Sequence, residues 1–237
     1  MIVNYTQNGW QVITQRSHGL LAAQICAMWN HSERPVRWVD TLIATAEHDD
    51  VFNELETGPL VNPTGGPVDF KMNVFDQSLS QELIGRAEMK GSFIALLIFR
   101  HIAFTHGGEP RAKPFLSKLK KKESGWLKIT GVSKKEVDSA YELLEFCDAL
   151  SLLICQDRVP PQGRKVEIST GPTGKVYALY CSEGCLTVSP WPFENDTFTV
   201  VYELRQLRWL TYKDDADFRN AMKKAKPIQI LLKFKKQ

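Results

Sequence analysis

The sequence predicts an α+β, mainly α chain: a helical bundle with a small antiparallel sheet formed by the N-terminal hairpin and the C-terminal strands. Three observations predict it. Residues 17–157 repeat their apolar side chains at helical spacing. After Pro160-Pro161 the period changes to two, the spacing of strands with one buried face. Residues 1–16 hold two apolar runs, Ile2-Val3 with Tyr5 and Trp10 with Val12-Ile13, around the turn pair Asn8-Gly9. A lone two-stranded hairpin is at best marginally stable, so it is expected to join the strands of residues 158–237.

The first helix is expected over residues 18–30 with Ser17 as its N-cap. Leu21, Ala22, Ile25, Met28 and Trp29 form its apolar face, and His18 falls at the start of that stripe. Pro35 interrupts the chain. A second helix over residues 37–52 puts Val39, Leu42, Ile43 and Ala46 on one face, continued by Asp49 and Asp50 in the run Glu47-His48-Asp49-Asp50. Residues 52–76 are turn chemistry throughout, with Gly58-Pro59, Asn62-Pro63 and Thr64-Gly65-Gly66-Pro67. A long loop directly after a candidate site is expected to be its wall or lid.

Helices are expected next over residues 79–89 and 92–104. The second is almost wholly apolar from Phe93 to Phe99, so it is central, and His101 points inward near its end. The Gly-, Pro- and Lys-rich residues 105–130 predict a short helix between loops. Ser133 caps a long helix to about Cys155 with a buried stripe of Val137, Tyr141, Leu144, Asp148, Ser151 and Cys155. Asp148 stands where a leucine belongs. Strands are expected at residues 166–168, 176–180, 186–188, 198–202 and 228–234, with a short helix over residues 214–224. Ser189-Pro190-Trp191-Pro192-Phe193 is a rigid loop whose aromatics either border a pocket or plug a junction.

Composition narrows the function. The chain has 237 residues, enough for a full core, and 43% hydrophobic with 24% charged residues is ordinary for a globular protein. A net charge of +3 gives no basis for a nucleic-acid partner. The lysines at 118, 120, 121 and 122, and at 233, 235 and 236, read as solvated faces. No apolar run reaches the length of a membrane span and no signal-like segment opens the chain, so a cytoplasmic location is expected. Cys26, Cys147 and Cys155 lie in apolar helical patterns as core filler. Cys181 and Cys185 flank a turn, positioned for a cross-strand disulfide or half a zinc site without a second pair to complete it.

Four helices thus carry metal-capable groups on apolar stripes: His18, His48 with Asp49, His101, and Asp148. Neighbouring helical residues differ by about 100° in direction, so His48 and Asp49 converge only on a point between their faces. Three imidazoles and two carboxylates facing one core are costly without a cation to satisfy them.

The order His18, His48-Asp49, His101, then Asp148 in Cys147-Asp148-Ala149-Leu150-Ser151 resembles the HD-type metal-dependent phosphohydrolases. The resemblance covers residues 17–157 and implies an HD-type helical bundle. Over its whole length the chain is similar to an uncharacterised bacterial family. It shares the hairpin, the His-Asp-Asp box, Pro67-Val68-Asp69-Phe70 and Pro190-Trp191-Pro192-Phe193. Carried over, the first resemblance implies His18, His48, Asp49 and Asp148 as ligands of a divalent ion (Mn, Fe, Zn, Ni or Mg). His101 would be a second-metal ligand or a substrate contact.

Such an ion would activate water against a small phosphorylated molecule, a phosphoester or nucleotide. Asp50, ahead of Glu47, is expected to orient or deprotonate that water. Arg100, Lys71 and His106 are the candidate substrate contacts. Two other functions are carried beside this one: a binding or regulatory module that keeps the polar core as structure, and a di-iron oxygenase. An open coordination position beside the loop of residues 52–76 separates catalysis from structure.

Overall fold

In the computed structural model the N-terminal hairpin and the later strands form one seven-stranded sheet. It describes residues 1–56 and 58–237. The expected bundle with a small antiparallel sheet is therefore corrected: the chain is 47% helical and 19% strand, with a curled, half-barrel mixed sheet and seven helices. The strands are β1 (Ile2–Thr6), β2 (Gly9–Ile13), β3 (Val166–Glu167), β4 (Ala178–Ser182), β5 (Cys185–Ser189), β6 (Thr197–Leu207) and β7 (Pro227–Lys235). Their order is β1-β2-β6-β7-β5-β4-β3.

The long strand β6 organises this sheet. It pairs with β2 at Trp10↔Leu207 and with β7 from Thr197↔Lys235 to Arg205↔Pro227. β5 and β7 run parallel, so the sheet is mixed. The expected strand stops at Tyr202, although Glu203, Leu204 and Arg205 continue its alternation; only Gln206-Leu207 breaks it. The cysteines of the β4–β5 hairpin are free, and Cys181 faces Leu186 across the ladder instead of Cys185.

The helices are α1 (Gln15–Ala27), α2 (Trp38–Glu47), α3 (Gln77–Lys90), α4 (Ser92–His106), α5 (Lys113–Thr130), α6 (Lys134–Cys155) and α7 (Asp215–Lys224). Thr14, not Ser17, caps α1, accepting from the Ser17 amide. The Ser17 hydroxyl instead donates to the Glu203 carbonyl of β6. Ser133 caps α6 with Glu136 in a reciprocal capping box. Residues 113–130, expected as a short helix, form all of α5, because Pro114 sits in the first turn and Leu119, Glu123 and Trp126 supply a buried stripe.

One core lies between the sheet and the pair α1 and α6, joining Leu21, Ile25 and Trp29 to Phe146, Leu150, Phe198 and Phe234. Phe193 belongs to this layer, edge-on to Trp29 and Phe198, so the Pro-rich loop plugs the junction. A second core surrounds α4, where Phe93 to Phe99 are all buried. Among the described residues no helix is long and apolar enough to cross a membrane.

Arg100 of α4 is held in a network outside the first core. It lies 2.7 Å from Glu123 and 2.8 Å from Asp138, while Lys120 approaches Glu123 at 2.7 Å. Burial pushes the Glu123 carboxyl up, but Lys120 and Arg100 outweigh it and hold the group below its usual value of 4.5. A depressed carboxyl adds stability that is fully present above its unfolded pKa and lost as pH falls through the folded one. Glu123→Gln is expected to cost about 1.5–2 kcal/mol at neutral pH, since it removes the more buried of the two carboxylates that hold Arg100 and leaves Asp138 as its partner. The deficit should shrink as pH falls below about 4.5. Urea unfolding at pH 7 and pH 4 checks this, and a deficit equal at both would show that Glu123 titrates normally.

Candidate metal centre

The sequence brings α1 and α2 unusually close where their histidines lie. A Cβ on Gly19 would sit 2.6 Å from the Ala46 carbonyl oxygen, so glycine is what lets the two backbones touch. The buried stripe of α2 is Thr41, Ala44, Thr45 and, just past its end, His48. Val39, expected inside, is exposed. The stripe is displaced because two threonines satisfy their hydroxyls on the preceding turn: Thr41 donates to Arg37 O and Thr45 to Thr41 O. α2 ends at Glu47, short of the expected 52, and the turn after it swings Asp49 beside His48.

Five side chains from α1, α2 with its turn, α4 and α6 meet there. His18 Nε2 lies 3.2 Å from His48 Nε2. Asp148 Oδ1 is 3.0 Å from the first and 3.3 Å from the second. Asp49 approaches His48 Nε2 at 3.6 Å with Oδ2 and His101 Nε2 at 3.7 Å with Oδ1. His18, His48 and Asp49 form one group that could hold a metal ion, and His48, His101 and Asp148 another, each with its ligand atoms within 4.8 Å of one another.

Neighbouring groups set the proton positions. His48 Nδ1 lies 2.8 Å from the Thr45 carbonyl, which can only accept, so Nδ1 carries hydrogen. Ser151 donates to the Asp148 carbonyl and therefore accepts from His18 Nδ1 at 2.7 Å. Both neutral rings then aim Nε2 lone pairs at each other and at a carboxylate. Such a point requires a proton or a cation.

The electrostatics express the same need. Burial disfavours the His48 imidazolium, but Asp148 and Asp49 overcome it and raise the group to about 10. Burial likewise opposes ionisation of Asp49, yet His48 and His101 hold it at about 2, and His48 and His18 hold Asp148 well below the carboxylate range.

The donor set fits a divalent ion: imidazole nitrogens with their distal N–H anchored, plus carboxylates. Two buried atoms at the cluster also have no partner among the described residues, His101 Nδ1 and Gln15 Oε1. Gln15 Nε2 is committed to Asp49 Oδ2 at 2.8 Å.

The cluster forms one end of a cavity of about 410 Å³ that Asp49, His101, Asp148 and Gln15 line together. Phe52, Phe70, Lys71 and Asn73, from the loop of residues 52–76, form another wall. That loop is fixed by Asp215, which accepts from the Leu60 and Val61 amides, and by Asp69, which accepts from Val3. His106 also lines the cavity, inside α4, with Nδ1 2.7 Å from Glu109 Oε1; Glu109 Oε2 accepts from the Phe75 amide.

His18 and His48 belong to the cluster but lie fully buried behind the cavity lining, and three sequence-expected residues are brought to neither. Asp50 is paired at 3.0 Å with both Arg16 and Arg86, Glu47 with Lys90, and Arg100 with Glu123 and Asp138. Glu47 lies on α2 off the stripe of Thr41, Ala44 and Thr45, and the turn beyond the helix directs Asp50 away. Gln15, Thr45 and Glu109 were not legible as site residues. Ser151 carried a signal, a hydroxyl one turn beyond Asp148 on the same apolar stripe.

A buried two-carboxylate, three-histidine cluster opening into a cavity, on helices laid against a curled sheet, defines this class of protein. The chain belongs to the family described as "Protein of unknown function (DUF3891)", whose model matches residues 1–209. Every cluster and cavity residue lies within that match. No curated protein and no solved structure matches the chain.

Proposed function

We propose that the chain is a metal-dependent hydrolase acting on a phosphoester, with His18, His48, Asp49 and Asp148 holding a divalent ion and His101 beside them. The observation that carries this is the convergence of His18 Nε2 and His48 Nε2, each with its Nδ1 hydrogen anchored, on Asp148, a carboxylate that lines a cavity. The chain order of these groups resembles that of HD-type phosphohydrolases, a likeness of ligand order without a shared bundle. Bound there, a divalent ion would acidify water and polarise a phosphoryl oxygen.

The chain's own groups account for the rest. Hydrolysis breaks the phosphorus–oxygen bond of the leaving group, joins a water oxygen to phosphorus, and moves one proton net to the leaving oxygen. His106 carries that proton through Nε2, because Glu109 holds Nδ1 and fixes the ring. His101 and His106 are five positions apart on α4, about 7.5 Å along its axis, which leaves space for a scissile group. The apolar walls exclude bulk water.

Hydrolysis of p-nitrophenyl phosphate and bis(p-nitrophenyl) phosphate by Mn- and Fe-loaded protein tests the reading. Activity is expected to vanish in the His48→Ala, Asp49→Ala double variant and to fall roughly 100-fold in His106→Gln. A metal-loaded protein inert toward phosphomonoesters, phosphodiesters and nucleotides would overturn it.

A further inference from the structure

The cavity's walls and charges narrow the substrate further, resting on the hydrolase reading above. Most of its surface is contributed by apolar atoms, with Phe52, Phe70, Leu79, Leu83, Ile102 and Phe104 forming continuous apolar wall between the polar groups. Its volume of about 410 Å³ suits one small molecule.

The charge count is unusual for a phosphate site. Asp49, Asp148 and Glu109 all line the cavity, and Lys71 is the one lysine or arginine lining it among the described residues. The nearby guanidinium groups are committed elsewhere: Arg16 and Arg86 to Asp50, and Arg100 to Glu123 and Asp138. Three carboxylates offset a divalent ion and Lys71 together, so every further negative charge on a substrate raises the cost of entry and a polyanion is disfavoured far more than a monoanion. A nucleoside triphosphate or sugar bisphosphate would enter with its charge unopposed and its polar surface against phenyl rings.

We infer that the substrate is a singly charged ester with an apolar body, such as a phosphodiester bearing an aryl or alkyl group, and not a nucleoside polyphosphate. The charged centre sits at the His/Asp end, and the apolar substituent lies along Phe70 and Phe104. Lys71, which is exposed, lies over the Phe70 ring on the same wall.

Calorimetric titration of Mn-loaded protein with three probes tests this: diphenyl phosphate, dimethyl phosphate and fructose 1,6-bisphosphate. Diphenyl phosphate is expected to bind at least about tenfold tighter than dimethyl phosphate, since it alone covers the apolar wall. The bisphosphate should give no heat of binding. Phe104→Ala and Phe70→Ala should each weaken diphenyl phosphate severalfold and leave dimethyl phosphate unchanged. Phe104 is 64% exposed, so its loss leaves the fold intact.

Equal affinity for the two diesters, or tighter binding of the bisphosphate, would overturn the inference. Metal content measured on the same sample separates the two failures. Retained metal with no preference for the aryl diester rejects only the substrate class. A sample that retains no metal rejects the hydrolase reading and this inference with it.

Discussion

Protein purified without chelator is expected to carry about one equivalent of divalent transition metal, and the His48→Ala, Asp49→Ala double variant none. The expectation rests on proton positions. Thr45 O and Ser151 Oγ hold hydrogen on the Nδ1 atoms, so both Nε2 lone pairs are presented 3.2 Å apart beside Asp148. An ion there takes the place of the proton that the two carboxylates otherwise hold on His48. The double variant removes one of those lone pairs and one of the two carboxylates, so it should remain folded while losing the ion.

Ser151→Ala is the sharper probe. It keeps every ligand atom and frees only the distal N–H of His18, and metal affinity should fall about 10- to 100-fold. Elemental analysis gives the content, and melting temperature with and without chelator gives the linkage. An ion present at about a hundred times its dissociation constant adds about 2.7 kcal/mol, so chelator should lower the wild-type melting temperature and leave the double variant's unchanged. A wild-type protein that takes up no Mn, Fe or Zn would make the cluster a protonated, hydrogen-bonded core.

Gly19→Ala should be the most damaging single methyl group in the chain's helices, costing about 2–3 kcal/mol. The new Cβ would lie 2.6 Å from the Ala46 carbonyl oxygen and 3.9 Å from His48 Cε1. Backbone cannot rotate aside as a side chain can, so α1 and α2 must separate. Separation draws His18 from His48, and metal affinity should fall with stability although no ligand is touched. Gly85→Ala, within α3 with nothing within 4 Å of its Cβ, is the control and should stabilise by about 0.5–1 kcal/mol. Denaturant unfolding and metal titration on both variants check this. A harmless Gly19→Ala would mean that the helices do not meet as described.

The helices and most strands were readable because they are local. The stripe of α6, the unbroken apolar run of α4 and the N-terminal hairpin, whose turn falls at Gln7-Asn8 and not at the expected Asn8-Gly9, each state their structure within about twenty residues. The sheet was not readable, because its extent depends on pairings such as Trp10 with Leu207, far apart in sequence and specified only by the finished fold. The full length of β6 is set by two partners through backbone hydrogen bonds, which carry no side-chain signature.

The site divides along the same line. By itself the sequence determined which ionisable residues sit on apolar stripes, because a histidine or aspartate among leucines is a local anomaly: His18, His101 and Asp148 were legible in that way. Tertiary structure alone decided that they meet at one point with His48 and Asp49. It also decided that Gln15 and Ser151 hold two of them, that Glu109 orients His106, and that Asp50, Glu47 and Arg100 are spent in ion pairs elsewhere. The physical reason is the end of α2. A helix that stops at Glu47 instead of residue 52 redirects Asp49 and Asp50, and direction, unlike burial, is a property of how helices end and cross.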